Sequence, residues 1–247
     1  MARRRSKRVP LALLVTVLAG LAACDGLPSF GAPDSASEDG DRLVSLWQGF
    51  VVAALAIAGI VWGLLVFVLV RYRRRSDDVP SQSPYNVRIE VLYTVAPILI
   101  VIALFGFSWA TEDDVVGLEA HPDVQLEVVG FQWQWRFTYP EEDITLIGTP
   151  ETGPPEVVLP VDRVVRLDLV SEDVNHAFWV PNFFEKRDLI PGVENTIDLT
   201  PNRTGAFAGR CAEFCGLDHW RMGFTVRVVD QAEYEAWLAE QRAAAGA

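Results

Sequence analysis

Cys211, Glu213, Cys215, His219 and Met222 fall within one stretch of twelve residues. Two thiolates, an imidazole and a thioether are soft or borderline donors, a set that suits copper rather than calcium or magnesium. The spacing Cys-x3-Cys-x3-His-x2-Met differs from the Cys-x2-Cys pairs of zinc sites, which have no use for Met. A single blue copper takes one Cys, two His and a distant Met. A second Cys four residues after the first lets two thiolates bridge two copper ions. A disulfide between Cys211 and Cys215 is the competing reading, which an oxidising compartment would permit. The His and Met that follow at this spacing weigh against it.

A copper pair needs a further His, and the chain has only two besides His219. His121 precedes Pro122 in a charged stretch and reads as solvent-exposed. His176 lies in the apolar, aromatic and strand-like run Val174–Pro181, which makes it the better candidate. In type, order and spacing, His176, Cys211, Cys215, His219 and Met222 resemble the copper A ligands of subunit II of bacterial haem–copper cytochrome c oxidases. The resemblance covers roughly residues 43–240. It implies that the Glu213 backbone carbonyl is a weak ligand to copper A. It also implies that the Glu213 carboxylate helps hold magnesium at the interface with subunit I. Without the resemblance, Glu213 reads as a surface acid.

Three apolar runs precede residue 111. Leu11–Ala23 follows a basic start containing Arg3, Arg4, Arg5, Lys7 and Arg8, the pattern of a signal peptide over residues 1–23. About 13 residues at 1.5 Å each cannot cross a core of ~30 Å. The run ends Leu21-Ala22-Ala23-Cys24, like a bacterial lipoprotein cleavage box, so Cys24 is the expected lipidation site. Residues 24–42, rich in Gly, Pro, Ser and acids, read as a flexible extracytoplasmic leader.

Leu46–Val70 contains no charge and is long enough to span a bilayer. Arg71, Arg73, Arg74 and Arg75 follow at once and mark the cytoplasmic end. Gly59 and Gly63 have the spacing of a helix-packing face, or are simply two small residues in an apolar helix. Val91–Ala110 is the other spanning run, with Arg88 before it and Glu112, Asp113 and Asp114 after it. Residues 43–111 therefore read as a helical hairpin with a cytoplasmic loop at 71–90 and both ends outside.

Residues 112–247 form the expected extracytoplasmic domain. From residue 111 on there are 25 acidic and 10 basic residues, a formal charge of −15, against −12 for the whole chain. Such a surface rejects nucleic acid and favours basic partners. Alternating stretches at 124–129, 131–139, 156–159, 163–170, 196–200, 205–209 and 223–229 read as strands, and Pro and Gly cluster between them. Many short strands with turn signals suggest a β-sandwich, and the resemblance implies its cupredoxin-like Greek-key form. Residues 230–242 read as a helix. No internal repeat and no Cys-x2-Cys-His haem attachment is present.

The resemblance also supplies roles. Trp133, in Phe131-Gln-Trp-Gln-Trp135, matches the tryptophan through which electrons arrive from cytochrome c, whereas Trp135 reads as a packing residue. Phe131 stands where the family often has His. Glu172 and Asp173 match acids that dock the lysines of cytochrome c. Glu90 matches an acid at the mouth of a proton path, or else it anchors the interface beside Arg88.

The expectation is a subunit of a cytochrome c oxidase in a bacterial plasma membrane, with subunit I, further oxidase subunits and a soluble or tethered cytochrome c as partners. Membrane lipid surrounds the hairpin. The quinol-oxidase form of the fold lacks the copper ligands found here. A copper A subunit of a nitric-oxide-reducing complex and a membrane-anchored copper-delivery protein remain as alternatives, although a carrier needs only one anchor.

Overall fold

In the computed structural model, residues 29–79, 82–149 and 153–245 are described; Cys24 and the signal segment lie outside them. Helix α1 spans Glu38–Arg71 and α2 spans Val87–Val116. The Ser37 hydroxyl caps α1 by accepting from the Gly40 amide, and Glu38, Asp39 and Asp41 in the first turn favour the positive end of the helix dipole. Asn86 caps α2, while the Glu90 carboxylate accepts from the Asn86 amide at 3.0 Å, a reciprocal arrangement that sets the start of the helix. Both helices are long and apolar enough to cross a membrane. Space is open around Gly59 and Gly63, so the pair forms no packing face between α1 and α2.

Among the described residues, ten strands form two five-stranded sheets, ordered β3-β2-β1-β5-β8 and β4-β10-β9-β6-β7. The first contains β1 (Val124–Phe131), β2 (Gln134–Tyr139), β3 (Ile144–Ile147), β5 (Val165–Ser171) and β8 (Asn195–Leu199). The second contains β4 (Glu156–Pro160), β6 (His176–Val180), β7 (Glu185–Leu189), β9 (Gly205–Cys211) and β10 (Gly223–Val229). Two pairs, β1 with β5 and β4 with β10, run parallel, so the chain must cross between sheets rather than meander. The inner faces meet in an aromatic core in which Phe224 lies 4.9 Å from Phe178 and 5.2 Å from Trp135, ring centre to ring centre. Helix α3 (Gln231–Ala245) closes one end through Tyr234, Trp237 and Leu238.

Three differences from the sequence reading bear on function. The run 131–139 is two strands: a tight turn at Gln132 and Trp133 reverses the chain and pairs Phe131 with Gln134. Strand β7 occupies part of 181–192, which read as connection. From Ser29 onward the leader is not a free tail: Ala36 and Ser37 are fully buried and α1 begins at Glu38.

Candidate metal centre

The twelve-residue loop is held at its base by backbone. Cys211 ends β9 and its amide donates to the Met222 carbonyl at 2.9 Å, just before β10 begins. The Ala212 amide donates to the Ala177 carbonyl at 3.0 Å, tying the loop to β6 beside His176. Two sheet strands and their ladder thus fix the positions of Cys211, Met222 and His176, and the loop supplies Cys215 and His219.

The donors converge. The ligating atoms of His176, Cys211 and Cys215 all lie within 4.8 Å of one another. The two Sγ atoms are 3.8 Å apart, against about 2.05 Å in a disulfide, so both thiols are free. His176 Nδ1 faces Cys211 Sγ at 3.8 Å, His219 Nδ1 faces Cys215 Sγ at 3.6 Å, and Met222 Sδ lies 3.8 Å from Cys215 Sγ. The Glu213 carbonyl is 3.2 Å from Cys211 Sγ. His176, Cys211, Cys215 and Met222 are buried, and Trp135 packs edge-on against the His176 ring. His121 is exposed and is not among the donors that converge here.

Burial opposes ionisation of both thiols. Hydrogen bonds from His176 and from the backbone at Ala177 and Glu213 nevertheless bring Cys211 down to about 6. Burial and the adjacent Cys211 charge push Cys215 up. Two thiols this close resist joint ionisation unless a cation lies between them, which is the electrostatic argument for a metal here.

Asp173 does something the sequence did not suggest. Its Oδ1 is 2.8 Å from His176 Nε2, and its Oδ2 accepts from the Gln132 amide at 2.7 Å. A carboxylate on the outer nitrogen of a ligating His fixes the ring and leaves Nδ1 free to face the metal. Both carboxylate oxygens therefore have partners inside the domain, unlike a free docking charge. Glu172 is half-exposed and pairs with Arg136 at 2.6 Å. The Asp-x2-His spacing was the available signal for Asp173.

Trp133 is half-buried, not fully displayed. Its indole N–H donates to the Cys215 carbonyl at 3.2 Å, and Gln132 Nε2 donates to the same oxygen at 2.8 Å. This close approach requires glycine at 216, where φ is +120° and a Cβ would sit 3.1–3.3 Å from the Gln132 and Trp133 side chains. Gln132 carried no sequence signal. Phe214, Leu217 and Trp220 project from the loop with about four-fifths of their surface exposed. Glu90 lies apart from this group in the chain, at the start of α2.

Two family models match the chain: cytochrome c oxidase subunit II, transmembrane domain, over residues 28–110, and its periplasmic domain over residues 152–229. A probable cytochrome c oxidase subunit 2 of Streptomyces avermitilis is 39% identical, with 95% of this chain and 88% of that protein covered. The chain belongs to the cytochrome c oxidase subunit II family. A cytochrome c oxidase subunit 2 of Mycobacterium tuberculosis is 31% identical over 93% of this chain and 79% of its own length. The periplasmic domain of subunit II from Bradyrhizobium japonicum is 32% identical and covers 51% of this chain and 97% of that one, with a TM-score of 0.46. As a subunit II, the chain combines two membrane-type helices with a cupredoxin-like sandwich, and it is part of an oxidoreductase. The converging sulfur and imidazole donors, with Asp173 set against His176, fit the copper centre that the family implies.

If Asp173 orients His176, Asp173→Ala should weaken copper binding by about 10–100-fold, the usual cost of losing an outer-shell partner. Titration of the metal-free protein with copper, read by absorbance, checks this. An unchanged affinity would return Asp173 to the surface.

Proposed function

We propose that this chain is the electron-accepting subunit of a bacterial cytochrome c oxidase. It takes electrons singly from a cytochrome c and delivers them to a haem of subunit I, where oxygen reduction is coupled to proton pumping. The observation that carries this reading is the convergence of the buried Cys211, Cys215, His176 and Met222 with the half-buried His219 and the Glu213 carbonyl. A binuclear copper A centre supplies one-electron transfer with the charge shared over two metals, which lowers reorganisation at each. The chain's own contribution is rigidity: two sheets hold the donors, so none has to move during transfer.

His176, His219, Cys211, Cys215 and Met222, with the Glu213 carbonyl, would hold the copper pair. The Glu213 carboxylate would serve magnesium, a hard cation that prefers oxygen. Trp133 is the proposed port, because its indole bonds to the Cys215 carbonyl and so joins the surface to a ligand. Glu172 is the docking acid on its rim, and Phe214, Leu217 and Trp220 offer apolar contact around the loop. Asp173 keeps the His176-orienting role and adds negative charge beneath the rim. Glu90 is retained as a proton-path acid that also caps α2.

The proposed setting is the plasma membrane, with the loop at 71–90 cytoplasmic, the sandwich outside and Cys24 lipidated. Four arginines at 71–75 against three acids at 112–114 support that orientation. The test of the central reading is metal analysis of the full chain purified in detergent. Two coppers per chain are expected. One copper, or zinc, would overturn the binuclear centre.

A further inference from the structure

We propose that residues Asp34–Gly40 form a clasp that positions the sandwich over its electron acceptor; this rests on the reading above. Residues 34–37 of the clasp lie in extended form against two connections of the sandwich, and α1 starts at Glu38. The Ala36 amide donates to the Asn182 carbonyl at 2.8 Å, the Asn202 amide donates to the Ala36 carbonyl at 3.1 Å, and the Glu38 amide donates to the Thr200 carbonyl at 3.0 Å. Ser37 bridges to Pro201, and its hydroxyl donates to the Phe183 carbonyl at 2.8 Å. Side chains of the sandwich reach back as well: Asn182 Nδ2 donates to the Asp34 carbonyl at 2.9 Å and Asn202 Nδ2 to Asp41 Oδ2 at 2.6 Å.

The joint is tight as well as bonded. Ala36 and Ser37 are fully buried. A Cβ on Gly40 would meet Ser35 Oγ at 2.5 Å, Ser37 Oγ at 2.9 Å and Phe184 Cδ2 at 3.2 Å. Phe184 itself sits at φ +58°, a left-handed conformation that a bulky side chain keeps only where its surroundings hold it. Helix α1 continues without a break from this joint into its apolar run at Leu46, so no hinge intervenes.

A second mount lies beside the first. Just beyond α2, the Glu119 amide donates to Asp198 Oδ2 at 2.6 Å and Arg166 Nη2 donates to the Glu119 carbonyl at 2.5 Å. Arg166 also grips Asp198 through two bonds of 2.8 and 2.7 Å. Asp198 is in β8, and Thr200–Asn202 follow it directly, so both membrane helices fasten to the same edge of the sandwich. The copper donors lie at the other ends of the strands that leave the clasp. His176 and Pro181 bound β6, about 13–16 Å apart at ~3.3 Å per residue. A small rotation at the clasp is therefore magnified at the metal centre, without touching any ligand.

The experiment uses the whole purified oxidase. A photoexcited ruthenium polypyridyl injects one electron, and the copper and haem absorbances are followed separately. Gly40→Val should leave copper content, copper absorbance and the injection step as in the parent, while the onward step to haem slows several-fold, because electron tunnelling weakens as donor and acceptor are moved apart. Ser37→Ala, which removes two hydrogen bonds without adding bulk, should slow the onward step less, and Ser37→Ala with Asp198→Asn more. An onward rate equal to the parent's in Gly40→Val overturns the proposal, as does loss of copper together with both steps, which would make the clasp a stability element. Should Gly40→Val fail to assemble, Ser37→Ala decides by the same comparison. A parent oxidase without the copper pair would instead overturn the functional reading itself.

Discussion

Cys215→Ser is expected to abolish the mixed-valence absorbance that the proposed copper pair gives the oxidised protein and to reduce oxidase turnover to background. Cys215 Sγ is the atom around which the other donors gather: Cys211 Sγ and Met222 Sδ lie at 3.8 Å and His219 Nδ1 at 3.6 Å. A serine hydroxyl is smaller, harder and hardly ionised at neutral pH, so it neither bridges two soft metals nor shares their charge. The fold should survive, because the loop is anchored by the Cys211–Met222 and Ala212–Ala177 backbone bonds rather than by Cys215. Met222→Leu should behave differently. It removes one weak thioether donor from a buried position that leucine fills, so a coloured centre with altered absorbance and potential is expected. Metal analysis and visible spectra of both variants check the pair of outcomes. A Cys215→Ser protein with the parent's spectrum would remove Cys215 from the centre.

The contrast between those two residues explains why the centre was legible in the sequence. Five donors lie in one short loop, so their spacing alone is informative, and tertiary structure is needed only to close the loop. His176 is 35 residues away from Cys211, and only its apolar, strand-like surroundings favoured it over His121. It was reached because the chain offers so few histidines. Asp173 was legible as an acid but not as the partner of His176. Whether an acid before a strand points outward or back onto the imidazole depends on the turn at 172–175, which the sequence does not specify.

Other features were hidden for different physical reasons. Composition describes side chains, whereas Ala36 and Ser37 dock through backbone hydrogen bonds and a capping hydroxyl, so a Gly-, Ser- and acid-rich leader read as free. Strand β7 has the sequence Glu-Lys-Arg-Asp-Leu and lies at a sheet edge, where charges are normal and alternation fails as a signal. The turn at Gln132 and Trp133 lacks the Asn-Gly or Gly-containing pair that usually marks a two-residue reversal, so Phe131 and the turn itself read as the start of the strand that is β2. In each case the outcome was fixed by a distant partner: Asn182 and Thr200 for the leader, β6 for the edge strand, and the copper loop for the turn.

That last partnership leads to the second large effect. Trp133→Gln should slow electron uptake from reduced cytochrome c by orders of magnitude, while copper content and donor affinity stay close to those of the parent. The indole is half-exposed at one face and bonds to the Cys215 carbonyl at 3.2 Å at the other. Glutamine at this turn can still donate to that carbonyl, as Gln132 does at 2.8 Å, so the loop should keep its place. What it loses is the flat aromatic surface that can lie in van der Waals contact with a haem edge. Glu172→Gln should give the opposite pattern. Its charge lies on the rim, paired with Arg136 and half-exposed, and acts on encounter over a Debye length of ~8 Å. Neutralising it should lower the association rate and flatten its salt dependence, with the transfer step within the complex unchanged. Stopped-flow mixing with cytochrome c at several ionic strengths separates the two steps. If Trp133→Gln accepts electrons at the parent rate, the indole only packs against the loop, and the exposed ring of Trp220, adjacent to His219, becomes the next port to test.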